Sequence, residues 1–251
     1  GVQTCALPIS NGGNVGIGTT SPSSKLHIVG SVASNAGIDS TVLLRLYNTA
    51  TDYTGSVANY TGIAFGNNSL ATNLSGSNNV ALGLSALCKN TTGNSNFAVG
   101  MNTLLSNTIG SNNFAVGYAA MFNNTTGSHN FAVGCCALAA NTLGASNFAQ
   151  GYFALNKNTT GKSNIAIGYY SLAKNLYGNY NIAQGYKTLC NNTIGSNNLA
   201  QGYKALYSNT NGCFNIGIGC CALYSNTAGY GNLAAGSSAL GANTTGCYNV
   251  A

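Results

Sequence analysis

Asparagine returns along this chain with a fixed step. It stands at 79, 96, 113, 130, 147, 164, 181, 198, 215, 232 and 249, every 17 residues, through ten consecutive units without insertion or deletion. Two glycine columns keep the same step, one including Gly117, Gly134, Gly151 and Gly168, the other Gly93, Gly110, Gly127 and Gly144. A degenerate earlier unit begins at Gly62, with Gly66 and Gly76 in register. A constant period of this kind marks a chain of stacked, nearly identical structural units. Seventeen residues are too few for two helices and their connections, but they suffice for one turn of a narrow β-solenoid.

The unit reads Asn113-Phe114-Ala115-Val116-Gly117-Tyr118-Ala119-Ala120-Met121-Phe122-Asn123-Asn124-Thr125-Thr126-Gly127-Ser128-His129. Counting the asparagine as first, the first five residues read as a short strand ended by glycine. The glycine columns mark corners, because glycine enters left-handed backbone at no steric cost. Asn-Thr-Thr-Gly supplies turn chemistry at the next corner. The fold expected is all-β, a parallel β-roll of about eleven coils that makes a rod on the order of 50 Å long. In such a stack like residues lie over like. Asn124, Asn158, Asn192 and Asn226, in the twelfth column, are expected to form a side-chain amide ladder. The apolar second and ninth positions are read as the core, and the small third-position alanine as the place where neighbouring chains approach. The fourth position, valine in three coils but glutamine at 150, 184 and 201, stays open.

Composition excludes several classes. Only 4% of residues are charged, yet no apolar run approaches the ~20 residues of a membrane span. The net charge of +6 includes two acids, Asp39 and Asp52, so residues 53–251 hold no carboxylate side chain. The lysines are scattered and no nucleic-acid-binding motif accompanies them, so no nucleic-acid partner is expected. Catalysis needs acids, bases or nucleophiles gathered in a pocket. Here the two histidines stand apart: His27 precedes the repeat, and His129 occupies a variable turn position. Gly16-Ile17-Gly18 and Gly217-Ile218-Gly219 lack the strand–helix unit of a phosphate loop. No enzyme, cofactor or metal is expected. The nine cysteines show no zinc-type spacing and are read as substitutions in tolerant columns or as cross-links between secreted chains.

Tyr152, Tyr169, Tyr186 and Tyr203 fill the sixth column in four successive coils, with Lys187 and Lys204 beside the last two. Stacked aromatic rings with polar tips suit a sugar face or a protein partner, and this column is the candidate ligand surface. The alternative is a stabilising ladder or an interface between chains. Asn-x-Ser/Thr sequons at Asn67, Asn73, Asn90, Asn124, Asn158 and Asn243 are either glycan acceptors or plain turn residues.

Asn113-Phe114-Ala115-Val116-Gly117 and Ser163-Asn164-Ile165-Ala166-Ile167-Gly168 resemble the head repeats of YadA-like trimeric autotransporter adhesins, over about residues 62–251. That resemblance implies a homotrimer of left-handed parallel β-rolls that binds host or surface ligands. Upstream, Gly13-Asn14-Val15-Gly16-Ile17-Gly18-Thr19-Thr20-Ser21-Pro22 with Lys25-Leu26-His27-Ile28-Val29 resembles a motif of phage tail fibres and bacterial surface fibres. Residues 1–9, GVQTCALPI, resemble a translated sequencing adapter. The chain is therefore expected to divide into an adapter artefact at 1–9, a fibre motif and connecting β segment at 10–60 with a strand at 41–48, and the solenoid at 61–251. It reads as a metagenomic fragment cut short at its C-terminus. The expected role is an extracellular attachment fibre, on a cell surface or virion, binding a glycan or protein. The rivals are a filament polymerising end to end and the non-catalytic shaft of a tail fibre or tail spike.

Overall fold

The computed structural model describes residues 61–251, together with the strands Val15–Ile17 (β1), Leu26–Ile28 (β2) and Leu44–Asn48 (β3). Residues 1–9 with Cys5, both acids, and residues 41–43 of the expected 41–48 strand lie outside the described residues. The chain divides into two compact units, residues 1–41 and 42–251. In the first, β1 and β2 pair in parallel, Gly16 opposite His27, so the two halves of the upstream motif form one small ladder.

The second unit is a β-solenoid. Eleven strands stack in parallel in chain order, from Thr61–Phe65 (β4) and Asn79–Leu82 (β5) to Leu233–Ala235 (β14), one strand per 17-residue coil. Between them lie Phe97–Val99 (β6), Phe114–Val116 (β7), Phe131–Val133 (β8), Phe148–Gln150 (β9), Ile165–Ile167 (β10), Ile182–Gln184 (β11), Leu199–Gln201 (β12) and Ile216–Ile218 (β13). The register is strict: Phe114 faces Phe131, Ala115 faces Ala132 and Val116 faces Val133. On the N-terminal side β3 pairs antiparallel with β4, Leu46 opposite Ile63, and covers the sheet edge that the first coil would otherwise present.

Pairing between coils continues round the whole circuit, beyond the three-residue strands. In the coil 113–129, amides of Phe114, Met121, Asn123 and Thr125 donate to carbonyls of the next coil. Those of Gly117, Ala119 and His129 donate to the coil before. To direct its amides along the rod in both senses, the backbone turns left-handed repeatedly. Gly117 has φ 127°, but Ala119 (φ 52°), Met121 (φ 53°) and His129 (φ 61°) also take positive φ, and the same columns do so in nearly every coil. Glycine therefore marks only one of the left-handed positions. The second glycine column exists for room: a Cβ on Gly127 would overlap the carbonyl of Gly144 and the Oδ1 of Asn124.

The core differs from the sequence expectation. The ninth position is inside as expected, with Leu138, Leu155 and Leu172 fully buried. The second position is not: Phe114 is 36% exposed and Ile182 41%. Alternate residues of a strand face opposite sides, and the residue turned inward is the third. Ala98, Ala115, Ala132 and their successors are at 0% exposure, packed against the leucines and the small eighth-position residues. The circuit is so narrow that alanine fills the space opposite leucine. The alanine is small for the chain's own interior, not for a neighbouring chain. The fourth position faces outward with the second, so Gln150, Gln184 and Gln201 are exposed and none is buried without partners.

Both asparagine columns are buried and form ladders. Asn124 Nδ2 donates to Asn107 Oδ1 (2.7 Å) and to the Gly127 carbonyl (2.9 Å), while its own Oδ1 accepts from Asn141 (2.7 Å). Asn158, Asn192 and Asn226 repeat the pattern. In the first column the Oδ1 of Asn96 accepts both the backbone and the side-chain N–H of Asn113, each at 3.1 Å. Among the described residues no buried side-chain polar atom lacks a hydrogen-bond partner. The polar interior is thus fully satisfied, which a buried amide requires.

Candidate functional site

The corner after each strand places the sixth and seventh side chains next to each other. Along a strand neighbours would point apart. Here the left-handed seventh residue swings its side chain to the same side, so the rings of Tyr152 and Phe153 lie 4.5 Å apart between centroids, and those of Tyr169 and Tyr170 4.6 Å. Stacking of coils then turns these pairs into columns. Tyr152, Tyr169, Tyr186 and Tyr203 are spaced 5.3–5.4 Å with planes within 10° of parallel. Phe153 stacks on Tyr170 at 5.1 Å, and Tyr207 on Tyr224 at 5.3 Å. All four sixth-column tyrosines are 40–49% exposed.

The sequence foresaw this column but not its orientation. Because the rings are stacked on one another, the faces within the column are covered by their own neighbours, and the edges of the rings look outward. A sugar ring cannot lie flat on them; it meets a row of phenol edges.

Lys187 and Lys204, at the seventh position of the next two coils, fold back onto the column. The Lys187 ammonium sits 5.3 Å from the Tyr186 ring centre and 6.0 Å from that of Tyr170. Lys204 lies 5.3 Å from Tyr203 and 5.6 Å from Tyr207. These are cation–π distances. A hydrogen bond with the Tyr186 hydroxyl holds Lys187 above the ordinary lysine range, and Tyr203 does the same for Lys204. Burial, then the neighbouring Tyr170, raises Tyr152 above the usual phenol range. Tyr152 therefore stays neutral, and Lys187 and Lys204 charged, near neutral pH.

The strip is bounded along the rod by two pairs of adjacent cysteines in the same two columns. Cys135 and Cys136 hold their sulfurs 3.4 Å apart, and Cys220 and Cys221 3.5 Å. The corner geometry that pairs the rings pairs these thiols. Burial and the adjoining Cys135 push the Cys136 thiol up to about 11. The sequence showed the doublets but not that they converge, since nothing in two consecutive cysteines reports the left-handed second residue.

Most sequons are structural. Asn90, Asn124 and Asn158 are fully buried with Nδ2 engaged in the ladder, so the folded rod offers no acceptor nitrogen there. Asn73 and Asn243 likewise donate through Nδ2 to glycine carbonyls, leaving Asn67 as the exposed sequon of the six. His129 stands exposed at its corner, 3.4 Å from Asn112. Among the described residues no three His, Cys, Asp or Glu side chains come together as a metal site, and no helix is long and apolar enough to cross a membrane.

The chain matches no family model, no curated protein and no solved structure.

Proposed function

We propose that this chain is the β-solenoid segment of an extracellular attachment fibre, on a cell surface or a virion, which assembles as a homotrimer and offers its tyrosine–lysine strip to a glycan or protein ligand. The observation that carries the reading is the division of the rod's outer surface into two unlike faces. One is the outward side of the sheet, formed by the second and fourth positions. From Phe97 and Val99 to Leu233 and Ala235 it holds Phe, Val, Ile, Leu, Ala and three glutamines, and no charge. Phe97, Phe114, Phe131 and Phe148 stack along it at 4.5–4.9 Å. A contiguous apolar face marks an interaction surface, and identical copies would meet on it row by row. The resemblance to trimeric adhesin heads agrees with three copies.

The second face is the strip built on Tyr152, Tyr169, Tyr186, Tyr203, Lys187 and Lys204. Strict repetition makes it multivalent, since each coil presents a near-copy of the group below. Weak single contacts then sum along the rod. The reading assigns the chain no catalysis, in keeping with the lack of any carboxylate side chain in residues 53–251.

The test is the solution mass of the chain by light scattering, with negative-stain images of the same sample. Three chains per particle in short rods are expected, together with saturable retention on immobilised polysaccharide or matrix protein. A monomer at micromolar concentration overturns the trimer. End-to-end polymers without retention would make the chain a filament subunit.

A further inference from the structure

Lys187 and Lys204 lie against the tyrosine column at the seventh position of the coils beginning at Asn181 and Asn198. Lys157 and Lys174 stand at the eleventh position of the two coils before. Cys190 lies between the columns, and the charges of both Lys174 and Lys187 act on its thiol. Lys187 and Lys204 are one coil apart in register, so the two ammonium groups repel, and Lys187 accordingly pulls down on the Lys204 proton. Like charges placed directly opposite across a sheet are unfavourable. No carboxylate in residues 53–251 neutralises them.

Resting on the attachment reading, we infer that this strip takes an acidic polysaccharide laid along the rod axis. Three features point to that ligand. Lys187 and Lys204 repeat in one column at one coil's rise, roughly 4.8 Å, a spacing comparable to the advance of an extended hexose chain per sugar. A polymer with an acid group on each sugar therefore stays in register with them. The tyrosine column, with Tyr186 and Tyr203 against the two lysines, offers phenol hydroxyls that suit the hydroxyls of such a chain. Finally, Lys187 and Lys204 are already held against tyrosine rings, so little side-chain freedom is lost on binding. A single-stranded nucleic acid supplies negative charge too, but it gains much of its affinity by stacking bases on open aromatic faces. Here the faces between Tyr152 and Tyr203 are closed by neighbouring rings, which leaves only the outer faces of the two end rings.

The experiment uses the full chain and two matched pairs of polymers: polygalacturonate against its methyl ester, and dextran sulfate against dextran, with oligothymidylate as a further probe. At least one acidic member should bind saturably and about tenfold or more tighter than its neutral partner, and its affinity should fall steeply with salt. The double variant K187A/K204A, in columns where Ala119 shows that alanine is accommodated, should weaken that binding roughly tenfold and lower the salt slope by about two. The control K162A, which removes a lysine at the sixteenth position, outside both lysine columns, should leave affinity within about twofold; circular dichroism checks both folds. Equal binding of acidic and neutral partners overturns the inference. So does an equal loss in the control, which would reduce the effect to net charge, or tighter binding of oligothymidylate. Retention on a neutral glycan or matrix protein, with no preference for acid, would sink this inference and leave the attachment reading standing. Binding to nothing would sink both.

Discussion

A residue in this rod is judged by the column it occupies. At the seventh position the backbone is left-handed whatever the side chain, in Cys136 (φ 57°), Phe153 (φ 56°), Tyr170 (φ 53°) and Lys187 (φ 52°) alike. Left-handed backbone costs a residue other than glycine roughly 1–2 kcal/mol, and hydrogen bonds to both neighbouring coils offset it. Cys136 gives a direct chemical readout of the corner. Its thiol, held protonated by burial and by Cys135, titrates at about 11 instead of the reference 9.0. At pH 8 its thiolate fraction is lower than that of an unperturbed thiol by about a hundredfold, and the thiolate is the reacting form. Alkylation of Cys136 by iodoacetamide, followed by peptide mass spectrometry, should be slower than that of free cysteine by about that factor at pH 8, and should climb until about pH 11. A rate equal to free cysteine at pH 8 would mean the thiol is neither shielded by burial nor held beside Cys135.

The ladder is the element that distinguishes this solenoid from an ordinary apolar core, and it is sensitive to a single atom. In the substitution Asn124→Asp a carboxylate oxygen replaces the Nδ2 that donates to Asn107 and Gly127, so it faces two acceptors in a buried site. The variant should lose about 4 kcal/mol at pH 7. Burial and acceptor neighbours favour the protonated acid, so its folded pKa lies above the unfolded value near 3.9. The stability that depends on the proton is then fully present below pH ~3.9 and is lost as pH rises through the folded pKa. Urea melts of variant and wild type should differ most at pH 7 and converge toward pH 3. A constant gap would contradict the ladder.

At the same scale, the ladder and the coil were legible because identity and period coincide: Asn124, Asn158, Asn192 and Asn226 have no reason to recur in step unless they meet. The inward face of the strand was misread because Phe114 is more hydrophobic than Ala115, and hydrophobicity was allowed to choose between them. The width of the coil chooses instead, and width is a property of the closed circuit rather than of any residue. Likewise Leu138 (φ 53°) carries no mark of its left-handed backbone. The tyrosine column was legible from spacing alone, but the covered ring faces follow from the distance between coils.

For the whole molecule, the outward apolar face separates folding from the proposed trimer assembly. Phe131 and Phe148 contribute to it and not to the interior, where Ala132 and Ala149 stand at 0% exposure. On that proposal the double variant F131K/F148K should keep the β-solenoid spectrum while dissociating the trimer to single chains in light scattering. Loss of the fold itself would place these rings in the core, and an unchanged mass would put the interface elsewhere. Loss of thermal stability in parallel with dissociation is expected, because an oligomer is stabilised by mass action.

The constant step has a kinetic consequence. Side-chain hydrogen bonds between coils join residues only 12 to 20 positions apart. The entropy of closing a loop depends on its length, so each new coil closes the same short loop however long the rod has grown. β-Sheet proteins usually fold slowly because their pairings are distant in sequence. This one can nucleate in a few coils and then zip along the chain, each finished turn serving as the template for the next. Adding coils would lengthen the rod without raising the barrier to making it.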